Sequence, residues 1–272
     1  MNATADIFGR ERALLAMVHV DALPGTPRHD GRSVATIAHR AADEARMLVE
    51  AGFDGVIVEN MHDAPYLLRD VGSEIATAMT AVTLRVKDAI GATPLGVQVL
   101  AGANMAALAV AHAAGAQFIR AEGFVFSSIA DEGLMARADA GPLLRYRKQI
   151  GAEGVRILAD IKKKHSSHAI TADVDLGETA HAAAFFGADG LVITGIATGH
   201  ATSLDDLRAA RHATHLPIVV GSGATPETLG ALFEHAHAVI VGSWYKRDGL
   251  WSNAPDPARV KQLVTAANAA RA

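Results

Sequence analysis

A chain of 272 residues, half of them hydrophobic, carries enough apolar material for one large α/β barrel or two small domains. A net charge of −4, a pI near 6.3 and no basic tract beyond three adjacent lysines disfavour electrostatic binding of nucleic acid, and the absence of cysteine excludes disulfides, thiolate metal sites and a cysteine nucleophile. The first residues show no basic segment followed by an apolar one, and no apolar run is long enough to span a bilayer, so a cytoplasmic protein without a transmembrane segment is expected.

Apolar runs of β character recur, each followed by an alanine-rich stretch of helical spacing. Ala13 to Val20 reads as the first strand, and Ser33 as the N-cap of a helix reaching about Ala51. Gly55 to Asn60 is the second strand and Ser73 to Ile90 its helix; Pro94 to Leu100 is the third, with Asn104 capping the helix after it. Gln117 to Gly123 is the fourth strand. The rhythm then breaks for a longer connection, about 124–141, of the kind that forms lids and binding loops, before a helix ending near Ile150.

Arg156 to Lys164 is the fifth strand, and Asp175 with Glu178 resembles a capping box. Gly190 to Gly195 is the sixth strand, followed by a cap at Ser203 and Asp206. Pro217 to Gly221 is the seventh, and Thr225-Pro226 opens its helix with a cap and a proline at the first helical position. Ala238 to Gly242 is the eighth, and Asp256-Pro257 starts a final helix.

Eight strands alternating with helices fit either an open doubly wound sheet or a closed barrel. The segment Gly52 to Asn60 is echoed 135 residues later by Gly187 to Gly195, equating the second strand with the sixth, as two half-barrels would. The expected fold is therefore a single-domain (β/α)8 TIM barrel over 1–272.

Active sites of such barrels lie at the C-terminal ends of the strands. Those ends supply His19 and Asp21, Glu59 and Asn60, Gln98, Arg120 and Glu122, then Asp160, Lys162, Lys164 and His165, and finally Thr194, Ser222 and Ser243. Strand alternation sends Leu158, Asp160, Lys162 and Lys164 one way and Ile157, Ala159, Ile161 and Lys163 the other. On this reading Glu59, Glu122, Asp160, Lys162 and Lys164 form the catalytic set. A desolvated lysine would serve as base or Schiff-base nucleophile, and a solvated one as an anion clamp. His19, Asn60, Gln98, Arg120, His165 and Thr194 are candidates for substrate binding. The carboxylates with His19, His165 or His168 leave a divalent metal as an option, although no compact ligand motif is present.

Gly221, Ser222, Gly223, Gly242 and Ser243 follow the seventh and eighth strands, the usual phosphate site of this fold, where small residues let an anion reach backbone N–H groups. Tight turning is the plainer use of those glycines. Trp244 and Tyr245 suit ring stacking or packing, and His62 and His200 also belong to the mouth.

The motifs Met17-Val-His-Val-Asp-Ala-Leu-Pro-Gly25, Gly55-Val-Ile-Val-Glu-Asn60, Phe118-Ile-Arg-Ala-Glu-Gly123, Ala159-Asp-Ile-Lys-Lys-Lys-His165 and Val220-Gly-Ser-Gly223 together resemble the BtpA/SgcQ family over nearly the whole chain. The resemblance implies a barrel of the ribulose-phosphate-binding type. One branch of that family is linked to photosystem I biogenesis, and others look like enzymes of sugar or nucleoside catabolism. It supplies no agreed catalytic set, and it commonly has proline where this chain has Asp21. Two functions are thus expected: an enzyme on a phosphorylated sugar or nucleoside-derived metabolite, by lyase, isomerase or glycosidic-bond chemistry, or a non-catalytic assembly factor that docks a protein. Apolar barrel surfaces also leave a homo-oligomer open.

Overall fold

The computed structural model describes residues 7–163, 165–195 and 202–272. Its centre is a closed barrel of eight parallel strands: β1 (Ala13–His19), β2 (Gly55–Glu59), β3 (Leu95–Gln98), β4 (Phe118–Ala121), β7 (Arg156–Ile161), β9 (Gly190–Ile193), β10 (Ile218–Val220) and β11 (Ala238–Val241). Between them run α1 (Val34–Ala51), α2 (Ser73–Ile90), α3 (Asn104–Ala114), α4 (Ala140–Gln149), α5 (Leu176–Phe185), α6 (Leu204–Ala213) and α7 (Leu229–His235), with α8 (Pro257–Arg271) closing the chain. The (β/α)8 barrel is thus the fold, in a single domain.

Side-chain caps place four of the eight described helix starts. Ser33 accepts from Thr36 N–H, Asp175 from Glu178, Ser203 from Asp206, and Asp256 from Ala258 and Arg259 with Pro257 behind it. Two predicted caps are corrected. Asn104 is the first residue inside α3, where its side chain is spent on the neighbouring strand, and the helix after β10 begins at Leu229 because Thr225 to Thr228 first form a turn.

Strand alternation sorts the core into two layers. Leu14, Val56, Val97, Ile157, Ala159 and Ile161 face the helices, while Leu15, Met17, Ile57, Phe118, Leu158, Val192, Val219 and Ile240 fill the barrel. Phe8 joins the interior group by packing edge-on against Phe118 at 5.4 Å. Gly96 makes room for that ring, since a Cβ there would sit 2.2 Å from Phe118 Cε2. Gly96→Ala should therefore cost about 2–3 kcal/mol through overpacking, read as a lower urea midpoint at unchanged slope. Adding Phe118→Leu should recover part of the loss; a Gly96→Ala variant as stable as the parent would refute this account.

The internal echo is structural as well. Leu14 N–H donates to Asp54 Oδ2 at 2.7 Å, and Ile157 N–H donates to Asp189 Oδ2 at 2.9 Å. A Cβ on Gly55 would meet Leu15 Cδ2 at 2.9 Å and Pro94 O at 3.2 Å; on Gly190 it would meet Leu158 Cδ2 at 2.7 Å and Pro217 O at 3.3 Å. Each half of the barrel thus uses one glycine to admit a leucine to the interior and one aspartate to tie adjacent strand starts.

The long connection after β4 folds into a hairpin, β5 (Ser128–Ala130) and β6 (Gly133–Met135), turning at Asp131-Glu132. A short strand, β8 (Ser166–Ser167), pairs with β5, so the segments after β4 and β7 are joined in one small antiparallel sheet. Met135 anchors the hairpin by burying its side chain, with its Cε close over Gly102 and Gly123.

Candidate active site

The C-terminal ends of the strands surround a cavity of about 250 Å³. Of the residues expected there from sequence, His19, Glu59, Gln98, Arg120, Glu122, His165, Gly221, Ser222, Gly223, Gly242 and Ser243 line it. Their convergence follows from strand parity: His19, Glu59, Gln98 and Arg120 each stand two residues beyond an inward position on the same strand, as does Asp160, which does not line the cavity and is reached through Arg120.

The centre is a ladder of paired charges. Arg120 donates twice to Asp160, through Nε at 2.9 Å and through Nη2 at 3.0 Å, and both side chains are buried. Burial alone would lower the Arg120 pKa, but Asp160, with Glu59 and Glu122 nearby, carries it upward and keeps the guanidinium charged. Lys163 Nζ lies 2.8 Å from Glu122 Oε1, the oxygen that also accepts from Gln98 Nε2 at 3.0 Å. Burial pulls the Lys163 pKa down, and Glu122, followed by Asp160 and Glu132, more than reverses that, so the amine is an ammonium. Asn104 clamps the Glu122 backbone from α3, donating to its carbonyl at 2.7 Å and accepting from its N–H at 3.1 Å. Glu122 Oε2 and Gln98 Oε1 are buried without a hydrogen-bond partner among the described residues.

On the opposite wall His19 stands with Nε2 3.5 Å from Glu59 Oε2 and Nδ1 3.0 Å from the Trp251 carbonyl. Trp251 packs edge-on against His19 and tilted against His62, whose pKa burial lowers. Trp244 also lines the cavity, with the Arg259 guanidinium 4.5 Å from its ring centroid. Tyr245 is core instead, fully buried with its hydroxyl donating to the Met17 carbonyl at 2.6 Å.

The strip after β10 and β11 has two kinds of glycine. Gly221 and Gly242 are packing positions: a Cβ would fall 2.7 Å from Val192 and 3.1 Å from Arg120 Nη2 at the first, and 3.2 Å from the His19 ring at the second. Gly223 has φ +77, a left-handed conformation that glycine adopts without strain. Between them Ser222 Oγ is buried with no hydrogen-bond partner among the described residues.

Lys162, Asn60 and Thr194 also land elsewhere. Lys162 does not line the main cavity: β7 ends at Ile161, and Lys162 takes φ +47, a left-handed residue that breaks the strand alternation. Its amine donates to the Thr171 carbonyl at 3.1 Å outside the main cavity, while Lys163, assigned outward from sequence, enters it. Asn60 braces the wall without lining it, donating to Asp63 Oδ2 and accepting from Leu100 N–H. Thr194 is buried below the rim, against Gly221. Lys164 and His200 lie outside the described residues. Among the described residues no three His, Asp or Glu side chains are grouped to hold a metal ion. No helix among them is long and apolar enough to cross a membrane.

Sequence reasoning missed Lys163, Tyr66 and the hairpin tip Asp131-Glu132, all of which line the cavity. The hairpin had a readable signal: Ser-Ile-Ala and Gly-Leu-Met are short strands separated by two turn-forming residues.

Comparisons agree with the motifs. The BtpA family profile matches residues 10–269. A Caenorhabditis elegans protein whose name places it in the mitochondrion is 42% identical over 259 residues, covering 94% of this chain and 92% of that one. The photosystem I biogenesis protein BtpA of Synechocystis is 36% identical over 268 residues, covering 95% and 89%. Among solved structures, 3-hexulose-6-phosphate synthase superposes with a TM-score of 0.57 at 18% identity, covering 93% of this chain and 99% of that one. The geranylgeranylglyceryl phosphate synthase of Thermoplasma acidophilum, solved with sn-glycerol-1-phosphate, gives 0.57 at 16%, covering 97% and 96%. At these identities the structural likeness is one of fold.

Proposed function

The chain belongs to the BtpA family, and from that premise we propose that it is an enzyme, an isomerase or lyase acting on a phosphorylated sugar or nucleoside-derived metabolite. The observation that carries the reading is the pairing, in one cavity, of an unpartnered buried Ser222 hydroxyl in a glycine strip with a carboxylate, Glu122, that has one oxygen fixed and one free. Ser222, Gly223 and Ser243 would hold the phosphate, with Gly221 and Gly242 letting their neighbours close in. Glu122 Oε2 would take a proton from the carbon beside a carbonyl or, for cleavage, from a hydroxyl β to that carbonyl as the intervening C–C bond breaks. The released electron pair would move onto the carbonyl oxygen, where a second N–H of the Lys163 ammonium stabilises it. Arg120 and Asp160 would fix this geometry from below, and a protonated His19 beside Glu59 would supply a proton to the product, its imidazole being reprotonated from solvent as Glu122 releases the proton it took. About 250 Å³ suits one compact phosphosugar.

The test is a thermal-stability screen with inorganic phosphate, phosphosugars and nucleotides. A ligand at a hundredfold excess over its Kd adds about 2.7 kcal/mol, a rise in Tm of about 5 °C for a domain of this size. We expect a phosphorylated sugar to give such a shift, Ser222→Ala to weaken binding at least tenfold, and Lys162→Ala to leave it intact. No shift from any phosphorylated compound would remove the phosphate assignment.

A second reading, a docking factor for assembly, draws on the name of the Synechocystis relative and on exposed Ile129 and Leu134, which face each other across the hairpin. It expects Ile129→Ser with Leu134→Ser to release a co-purifying partner without changing Tm. A cytoplasmic location remains part of the enzyme proposal, set against the mitochondrial name of the nematode relative.

A further inference from the structure

We infer that the end of the ligand away from the phosphate is rich in hydrogen-bond donors, hydroxyls or an amino group, read by Gln98 and Glu122 from the barrel and by Asp131 and Glu132 from the hairpin. This deepens the reading of the same cavity given above and rests on it.

This end of the cavity holds acceptors that no donor of the described residues satisfies. Gln98 is 2% and Glu122 1% exposed, yet Gln98 Oε1 and Glu122 Oε2 have no partner among the described residues. Rotating the Gln98 amide would not help, because its carbonyl oxygen would then oppose Glu122 Oε1, which now accepts from its NH₂. An acceptor buried without a donor costs about 1–3 kcal/mol, so two beside each other call for a donor from outside the chain. The nearby cations are already engaged, Lys163 on Glu122 Oε1 and Arg120 on both oxygens of Asp160.

Two more carboxylates line the cavity from the hairpin. Asp131 and Glu132 form the turn between Ala130 and Gly133, which are paired across β5 and β6, and neither makes a hydrogen bond or ion pair among the described residues. The turn is held at the mouth, since β5 also pairs with β8 just beyond Lys163. Glu132 is near enough to favour the Lys163 ammonium and to oppose ionisation of Tyr66. A sugar or amino-sugar tail would donate to all four groups. A carboxylate tail would meet an acceptor at each of the four, against the one N–H that Lys163 keeps for a carbonyl oxygen.

The test is calorimetric titration of the whole chain and of Asp131→Asn/Glu132→Gln, which alters only the hairpin turn. The ligands are ribose 5-phosphate, glucosamine 6-phosphate, phosphoglycolate, ethyl phosphate and inorganic phosphate. Affinities are taken relative to ethyl phosphate in the same protein, which cancels the general gain of anion affinity on removing two charges. At least one of the donor-rich ligands should bind tenfold or more tighter than ethyl phosphate, and phosphoglycolate no tighter. In the double variant the donor-rich advantage should fall at least fivefold while phosphoglycolate gains, because the new amides can donate. The inference is overturned if phosphoglycolate matches the sugar phosphates in the parent, or if their advantage survives in the variant. If inorganic phosphate and every phosphate ester fail to bind, the phosphate assignment is lost. Ribose and glucosamine then decide: binding weakened by the double variant upholds the donor-rich reading alone, and no binding overturns it.

Discussion

Replacing Arg120 by methionine should destabilise the barrel by about 3–5 kcal/mol, more than any other single change at the mouth. The substitution keeps most of the apolar bulk and removes the charge, so Asp160, whose side chain is fully buried, loses both of its guanidinium hydrogen bonds. Burial already pushes the Asp160 carboxyl above the usual carboxylate range, with Arg120 opposing it. Without Arg120 the carboxyl moves higher still. A carboxyl raised in the folded state binds protons more tightly there than in the unfolded chain, so its contribution is favourable at low pH and is lost as pH rises through the folded pKa. The deficit of Arg120→Met against the parent, measured by urea unfolding, should therefore be smaller at pH 5.5 than at pH 8. Combining it with Asp160→Leu should recover most of the loss by removing the buried charge altogether. A deficit below 1 kcal/mol, or one equal at the two pH values, would show that the pair is not the buried strut described here.

This strut also marks how far the sequence could be read. Arg120 and Asp160 were legible because each stands two residues past an inward apolar residue, Phe118 and Leu158, and the alternation holds to the end of both strands. Glu59 and Gln98 were legible as polar residues at strand ends, and the same alternation turns them inward. It failed at Lys162, where one left-handed residue exchanged the roles of two lysines; nothing in Ile-Lys-Lys-Lys-His distinguishes which lysine will take positive φ. Asn60 and Asn104 were visible as polar residues in the right places, but their partners are 40 residues away at Leu100 and 35 away at Asp139. Only the closed barrel reveals that they brace the wall. The glycines after β10 and β11 were legible as small residues, while the rings and side chains that require their smallness belong to other strands.

Lys163 should resist reductive methylation in the parent and become reactive in Glu122→Gln. Formaldehyde with cyanoborohydride modifies the neutral amine, and each unit of pKa changes the neutral fraction about tenfold. In the parent, burial favours the neutral form, but the contact with Glu122 Oε1 outweighs it and raises the pKa. A lysine raised in the folded state contributes stability below its ordinary pKa of about 10.4, which is lost only as pH climbs through the folded value, so the ammonium persists across the neutral range. Glutamine keeps the shape of Glu122 and removes its charge. Burial then dominates, and labelling of Lys163 at pH 7.5, followed by peptide mass spectrometry against exposed Lys261, should rise at least tenfold. The result bears on mechanism as well as electrostatics. An amine held as a cation by its own carboxylate can stabilise an oxyanion but cannot attack a carbonyl, so the parent should also give no borohydride-trapped adduct at Lys163 with a phosphorylated aldehyde. Rapid labelling of Lys163 in the parent would reverse the assignment, making Lys163 the nucleophile and Glu122 the group that activates it.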